Sequence, residues 1–104
     1  MPRDKFTVDA QPDLEEIIHY TVERWGVEQA HQYLDGLEAL AARLAEAAQL
    51  GTQRNDLAEG LRSFPYVNHV LYYVIESHGI TIVRVLHKSM DAKHHLKGVN
   101  PPEK

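Results

Sequence analysis

Two neighbouring runs, His69 to Glu76 and Gly79 to His87, constrain this chain more than any other feature. Both are dense in β-branched and aromatic residues, and Gly79 can take the positive φ that a tight reversal needs, so the spacing predicts a β-hairpin. In the second run Ile80, Ile82 and Leu86 are expected on one face, and Thr81, Val83 and Val85 on the other. Apolar residues on both faces mark a central strand. Arg84 interrupts the face it would share with Ile82 and Leu86. An ionised side chain is rarely placed inside a sheet unless a partner neutralises it, or unless the strand ends there and its head reaches water.

A chain of 104 residues can build one modest core around such a hairpin, and not two. It has no cysteine, so neither a disulfide framework nor a thiolate metal site is available, which fits a reducing compartment. The segment Met1 to Lys5 lacks the apolar core of a signal peptide, and no apolar run approaches the length of a membrane span. A cytoplasmic protein without membrane contact is expected. The net charge of −4 argues against a general nucleic-acid binder, but it hides an asymmetry. Asp9 to Glu59 holds 11 acidic residues against Arg24, Arg43 and Arg54, whereas Gly60 to Lys104 holds six basic residues against Glu76, Asp91 and Glu103. If charge marks a working face, it lies in the second half.

Taken in order, Lys5 to Asp9 alternates and reads as a short first strand. Pro12 followed by Asp13, Glu15 and Glu16 suits a helix start, and Leu14, Ile17, Ile18, Val22 and Trp25 give a helical stripe expected to be buried over residues 12 to 25. Gly26 caps this helix and restarts the chain. A second helix is predicted from Val27 to about Ala48, with Ala30, Tyr33, Leu34, Leu37, Leu40, Ala41 and Leu44 on one side, folded back on the first. Thr52 to Glu59 has no period and reads as a surface connection. Leu61 to Val67 alternates, but Pro65 cannot donate to a ladder, so this strand belongs at an edge or carries a bulge. Asn68-His69 is expected to make the reversal into the hairpin. The order is strand, helix, helix, then about three strands: an α+β domain of two layers, with the helix hairpin packed on one face of an antiparallel sheet.

Seven histidines invite a metal hypothesis, above all His87, His94 and His95. The adjacent His94 and His95 diverge on a helix, and the carboxylate or thiolate partners that complete a stable site are not evident, so no metal and no cofactor are expected. Ser63, Ser77 and Ser89 lie in no nucleophile-elbow pattern, and no glycine-rich phosphate loop occurs. What remains is Arg62 and Arg84 on strands, His87 just beyond, and the basic residues Lys88, Lys93 and Lys97. Two arginines and a histidine can carry general acid–base cleavage of RNA. They can equally hold a protein partner, since interface energy concentrates in arginine and aromatic anchors, and Phe64, Tyr66, Tyr72 and Tyr73 lie in the same half.

Asp13-Leu14, Tyr20, Trp25-Gly26, Gln29-Ala30, Tyr33, Gly60-Leu61-Arg62, His69 to Tyr73 and Ile82 to Asp91 together resemble the ParE toxins of bacterial toxin–antitoxin modules. Arg84-Val85-Leu86-His87-Lys88-Ser89-Met90-Asp91 after a strand hairpin is the most specific part. The resemblance runs from about Lys5 to Leu96, which implies one domain over 1–96 and a flexible tail over 97–104. It implies a fold shared with the RelE ribosome-dependent endoribonucleases. It also implies a non-enzymatic action, the poisoning of DNA gyrase, and neutralisation by a ParD-type antitoxin, with DNA reached only through gyrase or the antitoxin.

Arg62 and Arg84 stand where the nuclease branch carries sheet arginines, but no tyrosine follows Tyr73 and the second helix lacks RNA-holding lysines. Gyrase poisoning is therefore preferred. A RelE-like endoribonuclease and a non-toxic antitoxin-binding relic are the alternatives. Expected target-facing residues are Arg62, Arg84, His87, Lys88, Met90 and Asp91. The antitoxin is expected on the outer side of the helix hairpin, through Tyr33, Leu34, Leu37, Leu40 and Leu44. A chain cut after Leu86 is expected to keep its strand core and still bind antitoxin.

Overall fold

The computed structural model describes residues 2–96, so the tail expected over 97–104, including Lys97, lies outside the described residues. Strand β1 (Arg3–Phe6) leads into helices α1 (Ala10–Trp25) and α2 (Val27–Glu46). Strands β2 (Thr52–Gln53), β3 (Leu61–Tyr66), β4 (His69–Glu76) and β5 (Gly79–His87) follow, then a short helix α3 (Ala92–His95). The sheet order is β1-β5-β4-β3-β2. β5 is thus paired on both sides, as its two apolar faces require. No described helix is long and apolar enough to cross a membrane.

The two-layer reading holds, with one change of direction: β1 runs parallel to β5, while all other pairs are antiparallel. β1 also ends earlier than its alternation suggested. Thr7 makes the turn, accepting the Ala10 N–H at both its carbonyl (3.1 Å) and its hydroxyl oxygen (3.2 Å). α1 therefore starts before Pro12, which is tolerated in a first turn whose N–H groups have no partner inside the helix. Gly26, at φ 96, separates the two helices. Gly79, at φ 142, leaves room for the Arg3 backbone, which a Cβ would strike. The β3–β4 reversal is made by Val67 and Asn68, one residue earlier than expected, because Tyr66 pairs with His69. Val67 sits at φ 51, a region that β-branched residues rarely adopt. Pro65 lies in the part of β3 beyond the two-residue β2, on an edge that needs no donor.

The first face of the sheet carries Leu71, Tyr73, Ile80, Ile82 and Val85 against Ile17, Leu37, Ala41, Leu44 and Ala45 of the helices. The second face carries Leu61, Tyr72, Val74, Val83 and Leu86, covered by Leu57, Ala58, Ala92 and Leu96. This corrects the alternation expected for β5. Tyr72 opposes Arg84 while Tyr73 opposes Ile82, so Val83 is an extra residue that bulges the strand. Past it the faces exchange: Val85 turns to the helices and Leu86 away from them.

Two further expectations change. In α1 the buried stripe is Ala10, Ile17 and Thr21 with Leu14 partly covered, whereas Ile18 is 37% and Trp25 67% exposed. Ile18 stands about 100° round from Ile17, at the margin of this stripe, and Trp25 is the last residue of α1, beside the open hollow that it lines with His69 and His87. Thr21 fits the core because its hydroxyl donates to the Ile17 carbonyl at 2.7 Å. A cut after Leu86 would not spare the core, since it removes His87 from β5 and strips Leu96, 2% exposed, from the second face.

Candidate functional site

An open trough runs between α1 and the end of β5. Its two hollows, of about 530 and 270 Å³, adjoin at Tyr20, His69 and His87, which line both. α1 supplies Asp13, Glu16 and Tyr20 to one wall, and Arg84 to His87 with Ser89 and Met90 form the other. Trp25, Gln29, Tyr33 and the Val67-Asn68 turn close the far end. A larger hollow of about 840 Å³ lies elsewhere, between the exit of α2 and the β4–β5 turn, and none of the expected site residues lines it.

Polar groups on the trough floor are held by neighbours. The Tyr33 hydroxyl accepts the Asn68 N–H at 3.3 Å and lies 2.7 Å from His69 Nδ1. The Tyr66 carbonyl, 3.5 Å away, is the more distant acceptor for the hydroxyl proton, so His69 Nδ1 is the better placed one. Burial, with a smaller effect from His87, pushes the His69 pKa down to about 4, and burial raises that of Tyr33, so both are neutral near pH 7. The His87 ring stands edge-on to His69, with centroids 5.3 Å apart. Its Nδ1 receives the Ser89 N–H at 3.1 Å and lies 2.7 Å from the Ser89 hydroxyl. Neither imidazole therefore offers a free Nδ1.

Arg84 does not end in bulk water. Its Nε and Nη2 donate to the two carboxylate oxygens of Asp13 at 2.7 and 3.0 Å, and Nη1 donates to the His95 carbonyl at 3.0 Å. These bonds hold the guanidinium charged above its ordinary range. Asp13 also accepts the Val85 N–H at 2.9 Å. β1 stops opposite Ile82, so beyond that point side chains complete the edge of β5: Asp13 at Val85 N–H and the Thr7 hydroxyl at Val83 O. Arg62, grouped with Arg84 among the expected target-facing residues, lies apart from the trough at the exit of α2, where Nη1 donates to the carbonyls of Gly51 (2.7 Å) and Gln49 (3.3 Å).

Arg84, His87 and Met90 thus share the trough. Lys88 and Asp91 flank it on the exposed chain after β5, where Asp91 caps α3 by accepting the Lys93 N–H. Of the expected antitoxin residues, Leu37 and Leu44 are 0% exposed and face the sheet, so they are core and not surface. Tyr33, Leu34 and Leu40 are partly buried against the same core. The large apolar residues that the hairpin does expose are Ile18, Tyr20, Trp25 and Val27, of which Tyr20 and Trp25 line the trough. Helical spacing places Trp25 in the buried stripe, and no local pattern marks His69 or Asp13 as functional, because their partners come from distant parts of the chain. Among the described residues, no group of three or more His, Asp or Glu converges as a metal site.

Fold and site define a small two-layer α+β domain with an open trough lipped by aromatic residues and floored by two imidazoles whose Nδ1 atoms are engaged. The chain belongs to the ParE toxin family: the model described as "ParE toxin of type II toxin-antitoxin system, parDE" matches residues 5–92. Toxin ParE1 of Mycobacterium tuberculosis (strain H37Rv) is 40% identical over 88 residues, which cover 84% of this chain and 90% of that protein. Toxin ParE1 of Caulobacter vibrioides is 39% identical over 87 residues, with the same coverage. Toxin ParE of Escherichia coli is 31% identical over 86 residues. The chromosomal ParDE toxin–antitoxin system of P. aeruginosa contains a chain of the same fold, with TM-score 0.71 and 22% identity, covering 84% of this chain and 96% of that one.

Proposed function

We propose that this toxin acts by binding DNA gyrase and trapping its cleaved DNA complex, and that a ParD-type antitoxin neutralises it. The observation that carries this reading over RNA cleavage is the engagement of both sheet arginines. Arg84 is bound to Asp13 and the His95 carbonyl, and Arg62 to carbonyls at the exit of α2. A phosphoryl-transfer site needs cationic donors aimed at the developing charge, and these two are tied to partners within the protein. His69, pushed down to about 4, is also a weak proton acceptor near pH 7.

Poisoning requires only differential binding. A protein that grips the cleaved gyrase complex more tightly than the religated one shifts the equilibrium towards cleavage. His87, Lys88, Met90 and Asp91 at the end of β5 are the contact residues of this proposal, with Met90 40% exposed as an apolar anchor. The antitoxin lies over the helix hairpin, where the exposed large apolar residues are Ile18, Tyr20, Trp25 and Val27. Tyr20 also lines the trough, so a bound antitoxin sits beside the target-facing residues. Gyrase as target places the action in the cytoplasm.

The test is a supercoiling assay with purified gyrase and this chain. Inhibition with accumulating cleaved DNA, reversed by the cognate antitoxin, is the expected result. Cleaved messenger RNA on ribosomes with unaffected gyrase would establish the nuclease reading instead.

A further inference from the structure

The C-terminal segment that follows β5 has little to hold it. α3 is four residues long, and the segment's apolar contribution to the second face is Ala92 and Leu96. A helix this short has no stability of its own in water. The start of the segment is held by the Lys88 N–H, which donates to the Asn68 carbonyl, and among the described residues its tie to a charged side chain of the sheet is the Arg84 Nη1 bond to the His95 carbonyl. The remaining donors of that guanidinium go the other way, to Asp13 in the first turn of α1. Arg84 and Asp13 are 20% and 10% exposed, and the fork is planar, so the position of the carboxylate fixes the direction in which Nη1 points.

From this geometry we infer that Asp13 and Arg84 form a positioning clasp, which sets the C-terminal segment Lys88 to Leu96 on the sheet and so presents His87 and Met90 in one arrangement. Arg84 then acts through the segment and does not itself touch the target. The clasp also joins the start of α1, the helix that carries Ile18, Tyr20 and Trp25 of the preceding proposal, to the target-facing residues. The target-facing part of the inference rests on that proposal, while the clasp itself stands apart from it.

Three side-chain identities matter for different reasons. Asp13→Asn keeps the shape of the side chain but supplies one oxygen where two are used, and it removes the charge that orients the fork. Arg84→Lys keeps the positive charge as a single point and cannot serve Asp13 and the His95 carbonyl in the same planar geometry. A residue that met the target simply as a cation would tolerate that second change.

The experiment compares hydrogen exchange in the wild-type chain, Asp13→Asn and Arg84→Lys, each paired with the supercoiling assay. The amides to follow are those of His94, His95 and Leu96, which donate to Asp91 and Ala92 carbonyls, with the β4 amides as internal reference. Both variants should exchange the three segment amides about tenfold faster or more while the β4 amides hold their protection, because local opening is then uncoupled from global unfolding. Gyrase inhibition should fall in step with that loss. Unchanged segment protection in both variants overturns the clasp, as does equal acceleration in β4, which would report a general loss of stability. Arg84→Lys serves as the milder variant should Asp13→Asn fail to fold. Full gyrase inhibition by a variant whose segment is loosened overturns the positioning role. Loosened segments in variants of a chain that never inhibits gyrase would leave the clasp standing and remove the gyrase reading.

Discussion

The two faces of the sheet are built from the same strands and closed in different ways. One face meets 36 residues of helix, in α1 and α2, and holds Leu37, Leu44, Ile80 and Ile82 at 0% exposure. The other is closed by Leu57 and Ala58 of a connection and by Ala92 and Leu96 of the segment after β5. Apolar burial is enough for the first, whose contacts interdigitate along two helices. The second has less apolar area and relies on directional polar ties such as that from Arg84 to the His95 carbonyl. A thin cover of this kind can open locally while the helix-backed core stays closed. Of the residues proposed to face the target, Lys88, Met90 and Asp91 belong to the segment that forms this thin cover, while His87 stands in the trough on the helix side.

Truncating one buried leucine on each side measures the contrast directly. Leu37→Ala should cost about 3–5 kcal/mol in urea unfolding, because a site enclosed by helix and sheet cannot collapse around the cavity. Leu96→Ala should cost less, about 2 kcal/mol, because a short terminal segment can settle into the vacated space. Equal losses at the two positions would mean that the cover of the second face is as rigid as the helix layer.

A smaller effect follows from His69, where α2 meets the β3–β4 turn. Its pKa is lowered from 6.5 to about 4 by burial, so between these values the unfolded chain binds the proton that the folded chain refuses. Stability from this group is fully present above pH 6.5 and falls as the pH drops towards 4. Urea midpoints followed over that window should decline less steeply for His69→Gln than for the wild type. Parallel slopes would show that His69 does not titrate abnormally.

Trp25→Ala should have the smallest effect on folding, within about 0.5 kcal/mol, because the side chain is mostly in solvent. Antitoxin affinity should nevertheless fall about tenfold or more if the exposed indole is an interface anchor. Calorimetric titration against the antitoxin checks this, and an unchanged affinity would shift the interface away from the end of α1.

Much of the architecture was legible because it is written in short-range periods. The hairpin, the central place of β5, the paired helices broken at Gly26 and the edge position of Pro65 each follow from spacing within one element. The errors were of rotation and of partner. Trp25 and Ile18 read as buried because a helical stripe drawn from apolar residues alone is wider than the one the sheet covers. Leu37 and Leu44 read as surface candidates because periodicity identifies an apolar face without saying whether the protein's own sheet or another chain covers it.

By itself, the sequence determined which segments become strands and helices and that the longest strand is covered on both sides, since backbone preference and side-chain period act within a few residues. Only the tertiary structure decided the parallel docking of β1, the bulge at Val83 and the partner of Arg84. A bulge adds a residue without changing the pattern before it, so the exchange of faces has no local mark. Asp13 and Arg84 are 71 positions apart, and Asp13 is one of 15 acidic residues. That an arginine inside a sheet needs a carboxylate follows from the cost of burying a charge, but which carboxylate it meets is settled only when the helix hairpin lands on the sheet.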